Sequence, residues 1–239
     1  FIVNELARLG SNFRKNIDLE EYLIQHDIPG IQGIDTRNLT KIIRNIGCMN
    51  GMITTTKYEN LDEVMKRIHA FKVTGVVEQT TCKESYTIGT GDKRVALLDY
   101  GAKANIAKSL VKRGCQVTVY PASTPASVIL KEKYDGIMLS NGPGDPEENV
   151  QIIEEIKLLA SSQTPIFAIC LGHQLMALAH GFKTEKMKYG HHGANHPVKD
   201  LETGRVYIST QNHNFVIKED SIDSAVAKPW FINVNDKTI

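Results

Sequence analysis

The sequence is poor in cysteine and has no strong charge of either sign. Its four cysteines, Cys48, Cys82, Cys115 and Cys170, are scattered over 239 residues. They make no C-x-x-C pair and no dense framework, which argues for free thiols in a reducing, cytoplasmic setting and against a disulfide scaffold or a structural zinc site. Lysine plus arginine number 28 and aspartate plus glutamate 27, a formal net charge of +1. That balance gives no electrostatic reason to expect a nucleic acid or an anionic membrane as partner. Also missing are an apolar run near the roughly 20 residues of a membrane helix, a secretory signal pattern, internal repeats and low-complexity tracts. Neither a Walker loop nor G-x-G-x-x-G occurs, so no cofactor site is expected in this chain.

What remains is an ordinary globular composition, with 41% hydrophobic residues. The length suffices for one large or two modest domains. Residues 1 to about 90 have a mixed pattern. Leu19 to Gln25 has helical spacing and Gly30 to Gly33 reads as a turn. Asp35 can cap a helix through Leu39, Ile42 and Ile43 that ends near Gly47. Leu61 to Phe71 is amphipathic, with Leu61, Val64, Met65 and Ile68 on one face. The glycine-rich T-I-G-T-G-D-K stretch, Thr87 to Lys93, suggests a boundary between domains 1–90 and 93–239.

Beyond that stretch, strands and helices alternate. Expected strands are Val95–Asp99, Gln116–Tyr120, Gly136–Leu139 and Pro165–Ile169. Expected helices are Ala104–Arg113, Pro125–Glu132, Pro146–Ala160 and Gln174–Ala179, with Asp145 and Glu148 spaced as a capping box. Four such repeats predict an α/β fold, a mostly parallel sheet with helices on both faces, beside a smaller N-terminal α/β domain. After Phe182 the pattern changes to short strands at Val206–Thr210, Phe215–Lys218 and Ala225–Lys228.

Ligands of open parallel sheets bind beyond the carboxyl ends of the strands. Three such ends stand out: Asp99-Tyr100-Gly101, the loop S-N-G-P-G-D-P (Ser140 to Pro146), and Cys170-Leu171-Gly172. A cysteine between a buried strand and a helix start can sit on a sharp turn that exposes its sulfur, with Ala168 and Gly172 small enough to permit the turn. The helix field would favour the thiolate, and the amide of Leu171 would be placed to donate to an oxyanion. The same pattern fits a buried filler equally well. The S-N-G-P-G-D-P loop suits a second amide donor, or is an ordinary connection. G-H-H-G-A-N-H-P-V (Gly190 to Val198) holds three histidines but no acid or cysteine at a useful spacing, which favours a structural loop over a metal site. Q-N-H-N-F (Gln211 to Phe215) suits either an amide ligand or a turn tied by its own side chains.

Together, in this order, S-N-G-P-G-D-P, C-L-G-H-Q, G-H-H-G-A-N-H-P-V and Q-N-H-N-F resemble a class I, triad-type glutamine amidotransferase domain. D-Y-G-A-K (Asp99 to Lys103), G-I-Q-G-I-D-T-R-N-L-T-K-I-I-R (Gly30 to Arg44) and M-N-G-M-I (Met49 to Ile53) narrow the resemblance to the carbamoyl-phosphate synthase small-chain family, over essentially the whole sequence. The resemblance implies that Cys170 attacks the glutamine side-chain carbonyl, forming a thioester and releasing ammonia. It implies an oxyanion hole from the amides of Gly142 and Leu171, and glutamine binding by Gly142, Gly144, Leu171, Gln174, Asn212, Asn214 and Phe215. It also implies a large partner chain that uses ATP, with Mg, to make carbamoyl phosphate for arginine and pyrimidine synthesis.

Family members usually carry glycine where Ala168 stands and often where Asn214 stands; both replacements are mild. The triad histidine and glutamate have no match here. His196-Pro197 is followed by Val198, His213 lies in the substrate-loop motif, and the H-P-E pair is expected beyond Ile239. A segment ahead of Phe1, which contributes a serine to the glutamine site, is expected to be missing too, so the chain reads as an internal fragment. Alternatives are another triad amidotransferase, of anthranilate or GMP synthase type, and a non-catalytic docking or regulatory subunit in which Cys170 is structural.

Overall fold

The computed structural model describes residues 1–239 as two compact units, Phe1–Lys72 and Val73–Ile239. No helix is long and apolar enough to cross a membrane.

The first unit contains three helices: α1 (Leu19–Gln25), α2 (Thr36–Ile46) and α3 (Leu61–Ala70). Two of them begin at a side-chain cap. Asp35 caps α2 by accepting from the amide of Asn38 at 2.9 Å, and Asn60 caps α3 through the amides of Asp62 and Glu63, satisfying donors that the first helical turn leaves free. Strand pairing is limited to one parallel bridge, Ile2 with Ile31, so the strand part of the expected α/β pattern is slight.

The second unit begins well before the glycine-rich stretch. Helix α4 (Val76–Thr80) and strand β1 (Tyr86–Ile88) both belong to it: Val77 is buried in its main core, and β1 pairs antiparallel with β3 (Cys115–Pro121). Gly89 and Gly91 lie at this sheet edge rather than in a linker. A Cβ on Gly91 would collide with the carbonyl of Gly114, so glycine is there to let two backbones pass closely.

The five-stranded sheet has the order β1-β3-β2-β4-β5, with β2 Lys93–Asp99, β4 Gly136–Leu139 and β5 Ile166–Ala168. All pairs except β1–β3 are parallel, as the alternating pattern predicts. Side chains alternate across the sheet. On one face Ala96, Leu98 and Tyr100 of the β2 segment meet Ile137 and Leu139 and the helices α6 (Ala126–Lys131), α7 (Val150–Ala160) and α8 (Leu171–Ala179). On the other, Val95 and Leu97 meet Val117, Val119 and helix α5 (Ala104–Val111).

Two expected elements differ. The helix 146–160 is broken: a 3-10 turn at Pro146–Glu148 precedes α7. The Asn149 side chain donates to the carbonyls of Asp145 and Pro146, and the Asp145 side chain accepts from the amide of Glu147 rather than that of Glu148, so the capping box does not form. The strand expected at 225–228 is a turn organised by Asp223, whose side chain accepts from the amide of Ala225.

The second sheet is a long antiparallel pair, β6 (Thr184–Asp200) and β7 (Val206–Ile217), with β8 (Phe231–Asn233) on the outer side of β6. The expected strands 206–210 and 215–218 are thus one strand running through Q-N-H-N, and the segment 190–198, read as a loop, lies inside β6.

The core of the second unit depends on helices pressed onto the sheet. Leu175, on α8, has no exposed surface, whereas Leu158, on α7, is 55% exposed. Leu175→Ala is expected to lower the unfolding free energy of this unit by about 3 kcal/mol in urea titrations, and Leu158→Ala by under about 0.5 kcal/mol. Equal costs at the two positions would contradict the packing described.

Candidate active site

Cys170 stands between β5 and α8 with φ 51° and ψ −110°, a left-handed conformation that costs a non-glycine residue strain and so requires a supporting frame. Its neighbours supply that frame. The amide of Gly172 donates to the carbonyls of Ser140 and Ile169, both at 3.0 Å. A Cβ on Gly172 would lie 2.6 Å from the Leu139 carbonyl oxygen and 2.7 Å from that of Ser140. Glycine is therefore what lets the first turn of α8 lie against the end of β4.

The S-N-G-P-G-D-P loop comes to the same place. The Tyr100 amide donates to Ser140 Oγ at 2.9 Å, and Ser140 Oγ donates to the Asn141 carbonyl at 2.8 Å. Asn141 Oδ1 accepts from the Lys103 amide at 3.0 Å. Asp99, buried at the end of β2, accepts from the amides of Gly101, Ala102 and Cys82. The three strand ends are thus laced together through backbone groups. This fixes Gly142, whose missing Cβ would strike the Tyr100 carbonyl and the Leu171 side chain.

The amides of Leu171 and Gly142 both face the Cys170 sulfur. The sulfur itself donates to the Asn212 carbonyl at 3.7 Å, which ties the elbow to β7. Burial pushes the Cys170 thiol above its ordinary range, and the two amides and the nearby Lys103 charge offset only part of that rise. The expectation that the helix field would stabilise the thiolate is therefore overturned, because desolvation of the sulfur outweighs it.

Other anticipated residues are brought together differently. Gln174 is buried and its Nε2 donates to the Phe215 carbonyl at 2.7 Å, joining α8 to β7. Asn212 and Asn214 project to the same side of β7, where their Oδ1 atoms lie 2.8 Å and 3.1 Å from the two ring nitrogens of His192. Gly144 has φ 93°, and a Cβ there would strike the Val76 side chain of α4.

The two histidine-bearing motifs are cross-strand partners. His191 pairs with His213, His192 with Asn212, and Gly193 with Gln211. A β-bulge between Lys186 and His191 sets this register and contains Gly190 at φ 75°, where a Cβ would fall 2.5 Å from the His213 carbonyl oxygen. Burial holds the His213 and His173 imidazoles below the usual histidine range. His192, His191 and Asp236 were not anticipated as site residues. The equal spacing of H-H and N-H in two stretches is the signal that could have paired them.

These features, a strained cysteine elbow with two converging amides on a parallel sheet, define a class. Residues 96–239 match the family described as glutamine amidotransferase class-I, and residues 1–53 match the carbamoyl-phosphate synthase small chain, CPSase domain. The chain belongs to the class-I glutamine amidotransferase family. Within it, the chain is 45% identical over 240 residues to the carbamoyl phosphate synthase small chain of Listeria monocytogenes serotype 4b, covering 100% of this chain and 65% of that one. It is 45% identical to the carbamoyl phosphate synthase pyrimidine-specific small chain of Bacillus subtilis, again covering 100% and 65%. The corresponding chain of Clostridium perfringens is 46% identical over 217 residues, covering 91% and 62%. The chain therefore spans a little under two thirds of the length of these relatives. A putative GMP synthase protein from Thermoplasma acidophilum has the same fold, with a TM-score of 0.52, 20% identity, and coverage of 59% of this chain and 73% of that one.

A raised thiol pKa has a direct kinetic consequence, since only the thiolate reacts. The rate of Cys170 alkylation by iodoacetamide should rise with pH to a midpoint above that of an ordinary cysteine, about 8.5. Lys103→Met should move the midpoint higher still. A midpoint below the ordinary value would show that burial does not dominate.

Proposed function

We propose that this chain is the glutamine-hydrolysing part of a carbamoyl-phosphate synthase small chain. Cys170 attacks the side-chain carbonyl of glutamine; the C–N bond breaks, ammonia leaves, and water then hydrolyses the thioester to glutamate. Negative charge developing on the carbonyl oxygen is met by the amides of Gly142 and Leu171. The observation that carries this reading is the convergence of those two amides on a cysteine held in a left-handed elbow. A structural cysteine has no need of the strain or of the donors.

In this reading Gly142, Gly144, Leu171, Gln174, Asn212, Asn214 and Phe215 surround the glutamine. The segment joining Cys170 to Asn212 and Gln174 to Phe215 forms its wall. Ammonia passes to a large partner chain, which supplies ATP and Mg chemistry for carbamoyl phosphate in the arginine and pyrimidine routes. The relatives' names and the match over residues 1–53 favour this partner over those of anthranilate or GMP synthases. Hydrolysis in the cytoplasm suits the free state of Cys48, Cys82, Cys115 and Cys170, since glutathione keeps thiols reduced there.

The test is a thioester trap. Full-length protein in complex with its large chain, quenched in acid during turnover of radiolabelled glutamine, should retain label on the peptide containing Cys170. Cys170→Ser should lose the label and at least about 10³-fold in glutamine-dependent ammonia release, as removal of a nucleophile does, while ammonia-dependent carbamoyl phosphate synthesis continues. Glutamine hydrolysis that survives Cys170→Ser would reject the reading.

A further inference from the structure

Three ionisable side chains beside the candidate site form a connected line that the proposed chemistry does not use. His213 Nδ1 lies 2.9 Å from the Phe215 carbonyl oxygen, His213 Nε2 lies 3.2 Å from His191 Nδ1, and His191 Nε2 lies 2.7 Å from Asp236 Oδ2. The three come from β7, β6 and the turn after β8. His191 is 7% exposed, so its ring has little access to water and must find its partners here.

Donor and acceptor accounting fixes the protons. A carbonyl oxygen only accepts, so His213 carries its proton on Nδ1. Burial disfavours a second proton on His213, although its bond to Phe215 opposes this. One proton must lie between His213 Nε2 and His191 Nδ1, since two facing lone pairs repel. At the far end, burial tends to raise the Asp236 carboxyl, but Thr238 and His191 hydrogen bonds outweigh it and hold the group below the usual carboxylate range. Asp236 is therefore a carboxylate and also only accepts. It is fixed by the Thr238 amide and hydroxyl on Oδ1. His191 Nε2 must then donate to Asp236, so the two rings hold three protons and carry one positive charge between them.

We propose that Asp236, His191 and His213 form a charged hydrogen-bond relay, with three protons on the two rings, that positions the Asn212–Phe215 segment against α8 for glutamine binding. The relay ends on the Phe215 carbonyl, which also accepts from Gln174 Nε2, and it crosses the segment one residue after the carbonyl that receives the Cys170 thiol. All three are positioning residues. The groups facing His191 are His213 from β7, His196 from its own strand with ring centroids 4.8 Å apart, and Asp236; His192 and His196 act on His213 in turn, and His213 acts on His173 of α8. Loss of one of the three protons leaves lone pairs facing each other at one of the contacts, and the line breaks. The positioning role rests on the glutamine reading above; the protonation state does not.

Two measurements separate these parts. Ring nitrogen shifts of 15N-histidine-labelled full-length protein at pH 7 should show three protons on the four ring nitrogens of His191 and His213. Two neutral rings overturn the relay. The second measurement is the glutamine concentration that half-protects Cys170 from iodoacetamide. In the wild type it should rise about tenfold as rising pH removes the third proton from the two rings, an event the same nitrogen shifts report. In Asp236→Asn the amide nitrogen can donate to a neutral His191, so protection should stay within about threefold of wild type and lose that pH step. Asp236→Ala, checked for folding by circular dichroism, should be weakened about tenfold at every pH. Wild-type protection with no pH step, unchanged in both variants, overturns the positioning role. Failure of glutamine to protect the wild type at all overturns the glutamine reading instead, leaving the protonation state to the nitrogen shifts.

Discussion

The amide of Gly172 reaching the carbonyl of Ser140 at 3.0 Å is the contact on which the site depends. It presses the first turn of α8 onto the end of β4 and leaves no room there for a side chain. Cys170 then has nowhere to go except into the left-handed region, with its sulfur turned out from the sheet edge. The same approach brings the S-N-G-P-G-D-P loop alongside, so that Gly142 and Leu171 offer amides to one point. Strain at one residue is thus held by ordinary backbone hydrogen bonds at its neighbours, reinforced by the polar lacing of Asp99, Ser140 and Asn141.

The environment of Cys170 is a balance rather than a simple activation. Two amides and a lysine favour the thiolate, and the loss of water opposes it and wins. A helix start is a weak source of charge stabilisation when the sulfur beside it is desolvated.

The alternating unit was legible because its residues obey simple rules. Val95–Asp99 and Gly136–Leu139 are apolar runs bounded by turns, and Ile156 and Leu175 fall on the buried sides of helices. The cysteine elbow could be read because small residues at 168 and 172 bracket it. The second sheet was not legible. Gly190 to Val198 shows no alternation of apolar and polar residues, because glycine, histidine and asparagine occupy both sides of β6 and a bulge interrupts the ladder. Its strand character comes from pairing with β7, a long-range property that no local window contains. The same holds for Asp236, which is distant in sequence and meets His191 only through β8. The boundary at 87–93 misled because glycines that allow close sheet-edge packing look, in sequence, like those of a linker.

The register of β6 on β7 makes the spacing between the two histidine motifs a mechanical quantity. Successive residues on a strand point to opposite sides, so His191 and His192 serve different neighbours: one faces Asp236 and His213, the other Asn212 and Asn214. A single residue inserted between Gly193 and Gln211 within the paired strands would exchange their sides and dismantle both sets of bonds at once. The turn at Leu201–Gly204, where Asp200 collects the amides of Glu202 and Thr203, lies outside the ladder and has no such constraint. Length variation in homologous chains should therefore accumulate at that turn, and the hairpin can carry an inserted tag there without disturbing the distance between the motifs.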